Sequence, residues 1–156
     1  IRFDPVLLDE LGYYNTSIVL HATDSAETAT TLYVMATVQE YFPPLSEEEM
    51  AKAPLLVVDK YLKQRSGIKM GDTLTVDFVL ENAGKQNLNL RKLSSNCTCL
   101  SYRIGSQDLA PGEQTTLTLL FNSAGRPGTQ QKSISIFSND PISPIQMVSL
   151  KVSVRR

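Results

Sequence analysis

Thr73-Leu74-Thr75-Val76-Asp77-Phe78-Val79-Leu80 decides the fold. Leu74, Val76, Phe78 and Leu80 recur every second residue, with Thr75 and Asp77 between them. A period of two puts the four apolar side chains on one face of a half-buried strand. Gly71-Asp72 before it and Asn82-Ala83-Gly84 after it are turn signals. Thr115 to Phe121 repeats the pattern, with Leu117, Leu119 and Phe121 inward, and follows the Ala110-Pro111-Gly112-Glu113 turn.

Outward from these two strands the chain stays strand-like. Leu55 to Tyr61 reads as a first strand, followed by a polar stretch to Gly71. Leu88 and Leu90 open another strand, whose alternation breaks at Arg91-Lys92-Leu93, the mark of a bulge or of a crossing between sheets. Cys97-Thr98-Cys99-Leu100 and Tyr102-Arg103-Ile104 read as a strand pair or one bent strand. Lys132 to Ser138 and Met147 to Val154 close the series. Short, evenly spaced, antiparallel-compatible strands with almost no helical period predict an all-β, immunoglobulin-like antiparallel β-sandwich over residues 55–156.

Upstream lies a second, partial copy. Adding 116 to each number carries Gly12 to Gly128, Ser17 to Ser133, Ile18 to Ile134, Leu20 to Ile136 and Asp24 to Asp140. It carries Leu32, Val34, Ala36 and Val38 to Val148, Leu150, Val152 and Val154, without a gap. Phe3-Asp4 resembles Phe121-Asn122 once two residues are inserted. Residues 1–40 are therefore expected to be the C-terminal strands of a partial first immunoglobulin-like repeat, and the chain a fragment of a tandem protein. Between the copies, residues 41–54 form a linker with two prolines and a capping box at Ser46 and Glu49, predicting a short helix to about Ala53.

Composition excludes some functions. The 156 residues are 42% hydrophobic, enough for a packed core. Fifteen basic residues against sixteen acidic ones exclude an electrostatic nucleic-acid binder. No apolar run is long enough for a transmembrane segment in this chain. The first residue is Ile1, not Met, so the lack of an opening signal peptide says nothing about export.

Candidate chemistry is sparse. Cys97 and Cys99, the two cysteines, share a face if the strand is extended. Extended geometry holds their sulfurs apart, so two thiols packed as small hydrophobes are expected, with a disulfide as the alternative, favoured if the strand bulges there. Two ligands do not close a zinc site, and His21 lies on the partial copy, so no metal and no cofactor is implied. Asp59, Asp72, Asp77, Glu81, Asp108 and Glu113 fall at outward or turn positions, where solvated charge is the default. Tyr13, Tyr14, Tyr41 and Phe42 form a possible binding patch, or pack the two copies together. Asn15-Thr16-Ser17 and Asn96-Cys97-Thr98 are glycosylation sequons only in a eukaryotic secretory setting, and Asp24-Ser25-Ala26 resembles a bacterial O-glycosylation acceptor but reads first as plain loop.

Asn82-Ala83-Gly84, Ser95-Asn96-Cys97-Thr98-Cys99, Ala110-Pro111-Gly112-Glu113 and Ser138-Asn139-Asp140-Pro141, in that order, resemble the bacterial exported immunoglobulin-like family called domain of unknown function 1573. More distantly they are similar to Hydin-type and pili-chaperone-like sandwiches. The family's usual Cys-Gly-Cys-Thr is here Cys97-Thr98-Cys99-Leu100. The resemblance implies export, to the periplasm or cell surface, often with a lipid anchor, and no enzyme activity. The expected function is a non-catalytic structural or protein-interaction module with a protein partner or self-association. A cell-surface domain binding a carbohydrate (glycan) or peptide, and a thiol redox or metal-binding module on Cys97 and Cys99, are the alternatives.

Overall fold

The computed structural model describes residues 10–21 and 29–156. The Asp24 loop and the Phe3-Asp4 similarity lie outside the described residues. Two compact units divide the chain, residues 1–39 and 40–156.

In the first unit, β1 (Gly12–His21) and β2 (Ala29–Val38) pair as an antiparallel hairpin. Gly12 faces Val38, Ile18 faces Leu32 and His21 faces Ala29. The second unit opens on the segment expected from the sequence to be a linker. Its helix α1 (Glu47–Met50) is one turn, shorter than expected, and opens on the anticipated capping box. Glu49 Oε2 accepts from the Ser46 backbone N–H at 2.8 Å and from its hydroxyl at 2.7 Å.

Those two Ser46 donors, the backbone N–H first, hold the Glu49 carboxyl below its ordinary value of 4.5. A depressed carboxylate contributes above its unfolded pKa, and the contribution is lost as pH falls through the folded one. Glu49 should therefore titrate below 4.5 when followed by NMR, and rise only part of the way back in Ser46→Ala, which removes the hydroxyl donor but keeps the backbone N–H.

The sandwich follows. One sheet runs β3 (Leu56–Val58), β5 (Thr73–Asn82), β9 (Gln114–Asn122), β7 (Leu100–Ile104). The other runs β4 (Leu62–Lys69), β11 (Ile145–Arg155), β10 (Gly128–Ser138), β6 (Leu88–Ser95), β8 (Asp108–Leu109). The core is built from the alternating residues read in the sequence. Val76, Phe78, Leu80, Leu117, Leu119 and Phe121 from one sheet meet Leu88, Leu90, Ile134, Ile136, Val148 and Leu150 from the other, all buried.

The broken alternation in β6 is a bulge. Phe137 pairs with Lys92 and Ser138 with Leu90, which leaves Arg91 as the extra residue. One residue inserted in a period of two returns Leu93 to the core face, where it is buried.

One expectation is corrected. The first strand is not continuous to Tyr61: it stops at Val58, and the stretch read as polar connection becomes β4. Within the antiparallel sandwich, one pair, β4 with β11, runs parallel. Leu62-Lys63-Gln64-Arg65-Ser66-Gly67-Ile68-Lys69 lacks clean alternation because it is an edge strand. Its lysines and arginine suit a position that must not recruit further strands.

The β10–β11 pairing repeats that of β1–β2 at the offset of the sequence match. Gly128 faces Val154, Ile134 faces Val148 and Phe137 faces Ile145.

Candidate functional site

Three of the motif segments lie at one end of the sandwich: those of Asn82 and Gly112-Glu113 bond each other, and that of Asn139-Asp140 bonds β3 and the start of β6. Asn82 is fully buried. Its Nδ2 donates to the Leu109 carbonyl at 2.9 Å and the Gln86 carbonyl at 2.8 Å. Its Oδ1 accepts from the Gly84 and Leu55 N–H groups. Its backbone carbonyl accepts from Gly112, and its N–H donates to the Glu113 carbonyl. Glu113 Oε2 in turn accepts from the Ala110 N–H at 2.9 Å. Asn139 joins this end to β6, accepting from the Asn89 N–H and donating to the Asn87 carbonyl.

Asp140, which the sequence marked as part of the Ser138-Asn139-Asp140-Pro141 motif, is a buried carboxyl group at 0% exposure. Oδ2 accepts from Leu56 N–H at 3.1 Å, and Oδ1 accepts from Ile142 and Ser143 N–H at 2.9 and 3.2 Å. These partners satisfy both oxygens of the buried side chain. The signal in the sequence was Asp before Pro, a residue pair that builds Asx turns.

The fourth motif segment lies at the opposite end. Cys97 and Cys99 are joined by a disulfide, with Cα atoms 5.1 Å apart. This corrects the expectation of two free thiols in a strand. Residues 96–99 form the turn between β6 and β7, closed by Leu100 N–H to the Cys97 carbonyl at 3.1 Å. A turn brings residues i and i+2 closer than an extended strand does, and so lets the sulfurs meet. Ser95 holds the turn from both sides: its hydroxyl donates to the Cys97 carbonyl and accepts from the Cys97 N–H. Cys97 is half-buried, and Cys99 is 5% exposed and part of the core.

The six candidate carboxylates have structural partners. Asp72 caps Lys69 N–H, Asp77 accepts from the Thr118 hydroxyl, Glu81 from the Gln114 amide and Asp108 from the Asn89 amide. Burial alone would raise the Asp59 pKa, but Lys63 and the Val79 N–H outweigh it and hold the carboxyl below its ordinary value. Among the described residues, no three of His, Cys, Asp and Glu converge as metal ligands.

The four aromatic residues fall in different units, Tyr13 and Tyr14 in the first and Tyr41 and Phe42 in the second. Tyr13 is exposed, whereas Tyr14 donates its hydroxyl to the Glu10 carbonyl at 2.6 Å. Tyr41 is exposed, and Phe42 lines a shallow cleft of about 350 Å³ with Leu45, Pro54, Arg91 and Pro141. Glu40 and Arg91 form an ion pair at its rim, 2.9 Å from Nε to Oε2.

The family model described as "Protein of unknown function (DUF1573)" matches residues 58–154. No curated protein matches the chain. A protein of unknown function from Porphyromonas gingivalis W83 superposes with a TM-score of 0.68 and 18% identity, over 94% of this chain and 67% of that one. The ASH/PapD-like domain 7 of human CEP192 superposes at 0.57 with 13% identity, over 78% of this chain and 97% of that one. The Vibrio cholerae VesB protease does so at 0.51 with 13% identity, over 65% of this chain but 32% of that one. At these identities the likeness is one of fold alone.

Proposed function

The chain belongs to the family described as protein of unknown function (DUF1573), and from that premise we propose that it is a non-catalytic structural or protein-interaction module of an exported bacterial protein, with β1 and β2 the last hairpin of a preceding sandwich repeat. One observation carries this reading: the two hairpins have the same register and opposite burial. Leu20 and Leu32 are 44% and 41% exposed, whereas Ile136 and Val148, 116 residues on, are both at 0%. Ile18 and Val34 are half-buried, and Ile134 and Leu150 fully buried. A two-stranded ribbon cannot cover its own apolar face. In the complete domain that face is covered by the β5–β9 sheet, so the chemistry that fits β1–β2 is the facing sheet of a first repeat.

The disulfide supports an exported setting, since such bonds persist in oxidising compartments. The six candidate carboxylates support a non-catalytic role, each having a structural partner. The fold resembles PapD-like and immunoglobulin-like domains, and the periplasm or cell surface is the location this reading assigns.

Adding about 100 upstream residues, one sandwich domain, should slow amide hydrogen exchange across β1 and β2 by at least about tenfold, equivalent to ~1.4 kcal/mol of local protection. Unchanged exchange in the longer chain would overturn the repeat.

A further inference from the structure

We propose that the Cys97–Cys99 disulfide is a thiol–disulfide exchange centre, able to oxidise a dithiol of another polypeptide, with Cys97 as the attacked sulfur. This goes beyond the binding role and uses a different end of the domain from the Asn82–Asp140 network.

The bond is poorly placed to be a staple. It encloses one residue, Thr98, and a cross-link constrains the unfolded chain least when its loop is shortest. The turn is also held without it. Leu100 N–H bonds the Cys97 carbonyl, Asn122 N–H bonds the Cys99 carbonyl at 2.9 Å, and Ser95 brackets Cys97. Asn96 is tied to β10, its Oδ1 accepting from the Ser133 N–H at 3.1 Å. A turn fixed by this many hydrogen bonds can keep its shape when the sulfurs part.

The two sulfurs are unequal in the way exchange requires. Cys97 is partly exposed, between exposed Asn96 and exposed Thr98, while Cys99 lies in the core. An incoming thiolate therefore reaches Cys97. The Cys99 backbone N–H points at Cys97 Sγ from 3.0 Å. A donor so placed stabilises a thiolate at Cys97 once the pair is reduced, which makes it the better leaving group of a mixed disulfide. Ser95, Asn96 and Thr98 bring no negative charge to oppose that thiolate.

The steps balance. A partner thiolate attacks Cys97 Sγ, the S–S bond breaks, and Cys99 leaves as a thiolate that takes up a proton. The partner's second thiolate attacks its own sulfur in the mixed disulfide, and Cys97 leaves as a thiolate. Two electrons have moved from the partner dithiol, now a disulfide, to the Cys97–Cys99 pair.

Dithiothreitol serves as the dithiol probe on the whole chain, with maleimide trapping and mass spectrometry as the readout. The pair should be reduced within minutes at neutral pH and reoxidise with glutathione disulfide, while amide exchange in β5, β9 and β10 stays unchanged. Cys99→Ser should form a mixed disulfide with glutathione at least about tenfold faster than Cys97→Ser. Should either variant fail to fold, limited reduction of the unaltered chain with glutathione should place the adduct on Cys97. A pair that resists dithiothreitol in the folded state, a domain that unfolds on reduction, or an adduct mainly on Cys99 would each overturn the proposal.

Discussion

Asp140→Ala is expected to lower the melting temperature of the sandwich domain by about 15–25 °C, corresponding to roughly 3–5 kcal/mol. The carboxylate accepts from three backbone N–H groups, those of Leu56, Ile142 and Ser143. Alanine removes every acceptor and adds none. An unpaired buried donor costs about 1–3 kcal/mol, reduced where water can enter. Leu56 is itself 2% exposed, so its N–H is the least accessible to water. The change also frees the start of β3 from the β10–β11 loop, which weakens the edge of the four-stranded sheet. Asp140→Asn keeps one acceptor oxygen and should lose about half as much. Thermal and urea denaturation measure both. A loss under about 1 kcal/mol in Asp140→Ala would show that the three donors find other partners.

Gly84→Ala is expected to destabilise by about 2–4 kcal/mol. A Cβ at residue 84 would stand 2.3 Å from the Ala53 carbonyl oxygen, 2.5 Å from the Leu55 nitrogen and 2.7 Å from the Pro54 carbonyl carbon. All three atoms are backbone, so no side chain can swing away. The segment they belong to is clamped by Ala83 N–H to the Leu55 carbonyl at 2.9 Å and Lys85 N–H to the Ala53 carbonyl at 3.3 Å. In a free turn the same substitution stabilises by about 0.4–1 kcal/mol through the unfolded state, so the sign of the effect decides. A lower urea midpoint with unchanged slope would be the expected result. Faster amide exchange at Ala83 and Lys85 would locate it. A stabilised variant would mean that the linker end does not lie on this turn.

Most of the sandwich was legible because burial on one face writes a period of two. Thr73 to Leu80 and Thr115 to Phe121 carry that period and became β5 and β9 with the expected residues inside. The lapse at Arg91 was legible too, as a bulge that a parity change requires. β4 was not legible. An edge strand with charged side chains has no buried face long enough to leave a period, and its partner β11 is distant in sequence. The cysteine turn failed for another reason. Sharing a face is a property of extended chain, and nothing local in Cys97-Thr98-Cys99 reveals that Ser95 and Leu100 close a turn around it.

The motif segments show the same division. Their residues and order were visible, and with them the family. Their purpose was not, because Asn82, Gly84, Gly112, Asn139 and Asp140 act through contacts with backbone far along the chain. By itself the sequence determined the strand faces, the match between two stretches 116 residues apart and the near balance of acidic and basic charge. All of these follow from side-chain chemistry at fixed local spacing. Only the tertiary structure decided that Asp140 is buried, that Gly84 admits no Cβ, and that the sulfurs of Cys97 and Cys99 are bonded with unequal exposure. Burial and close approach are set by what arrives from the other strands, and local spacing carries no record of that.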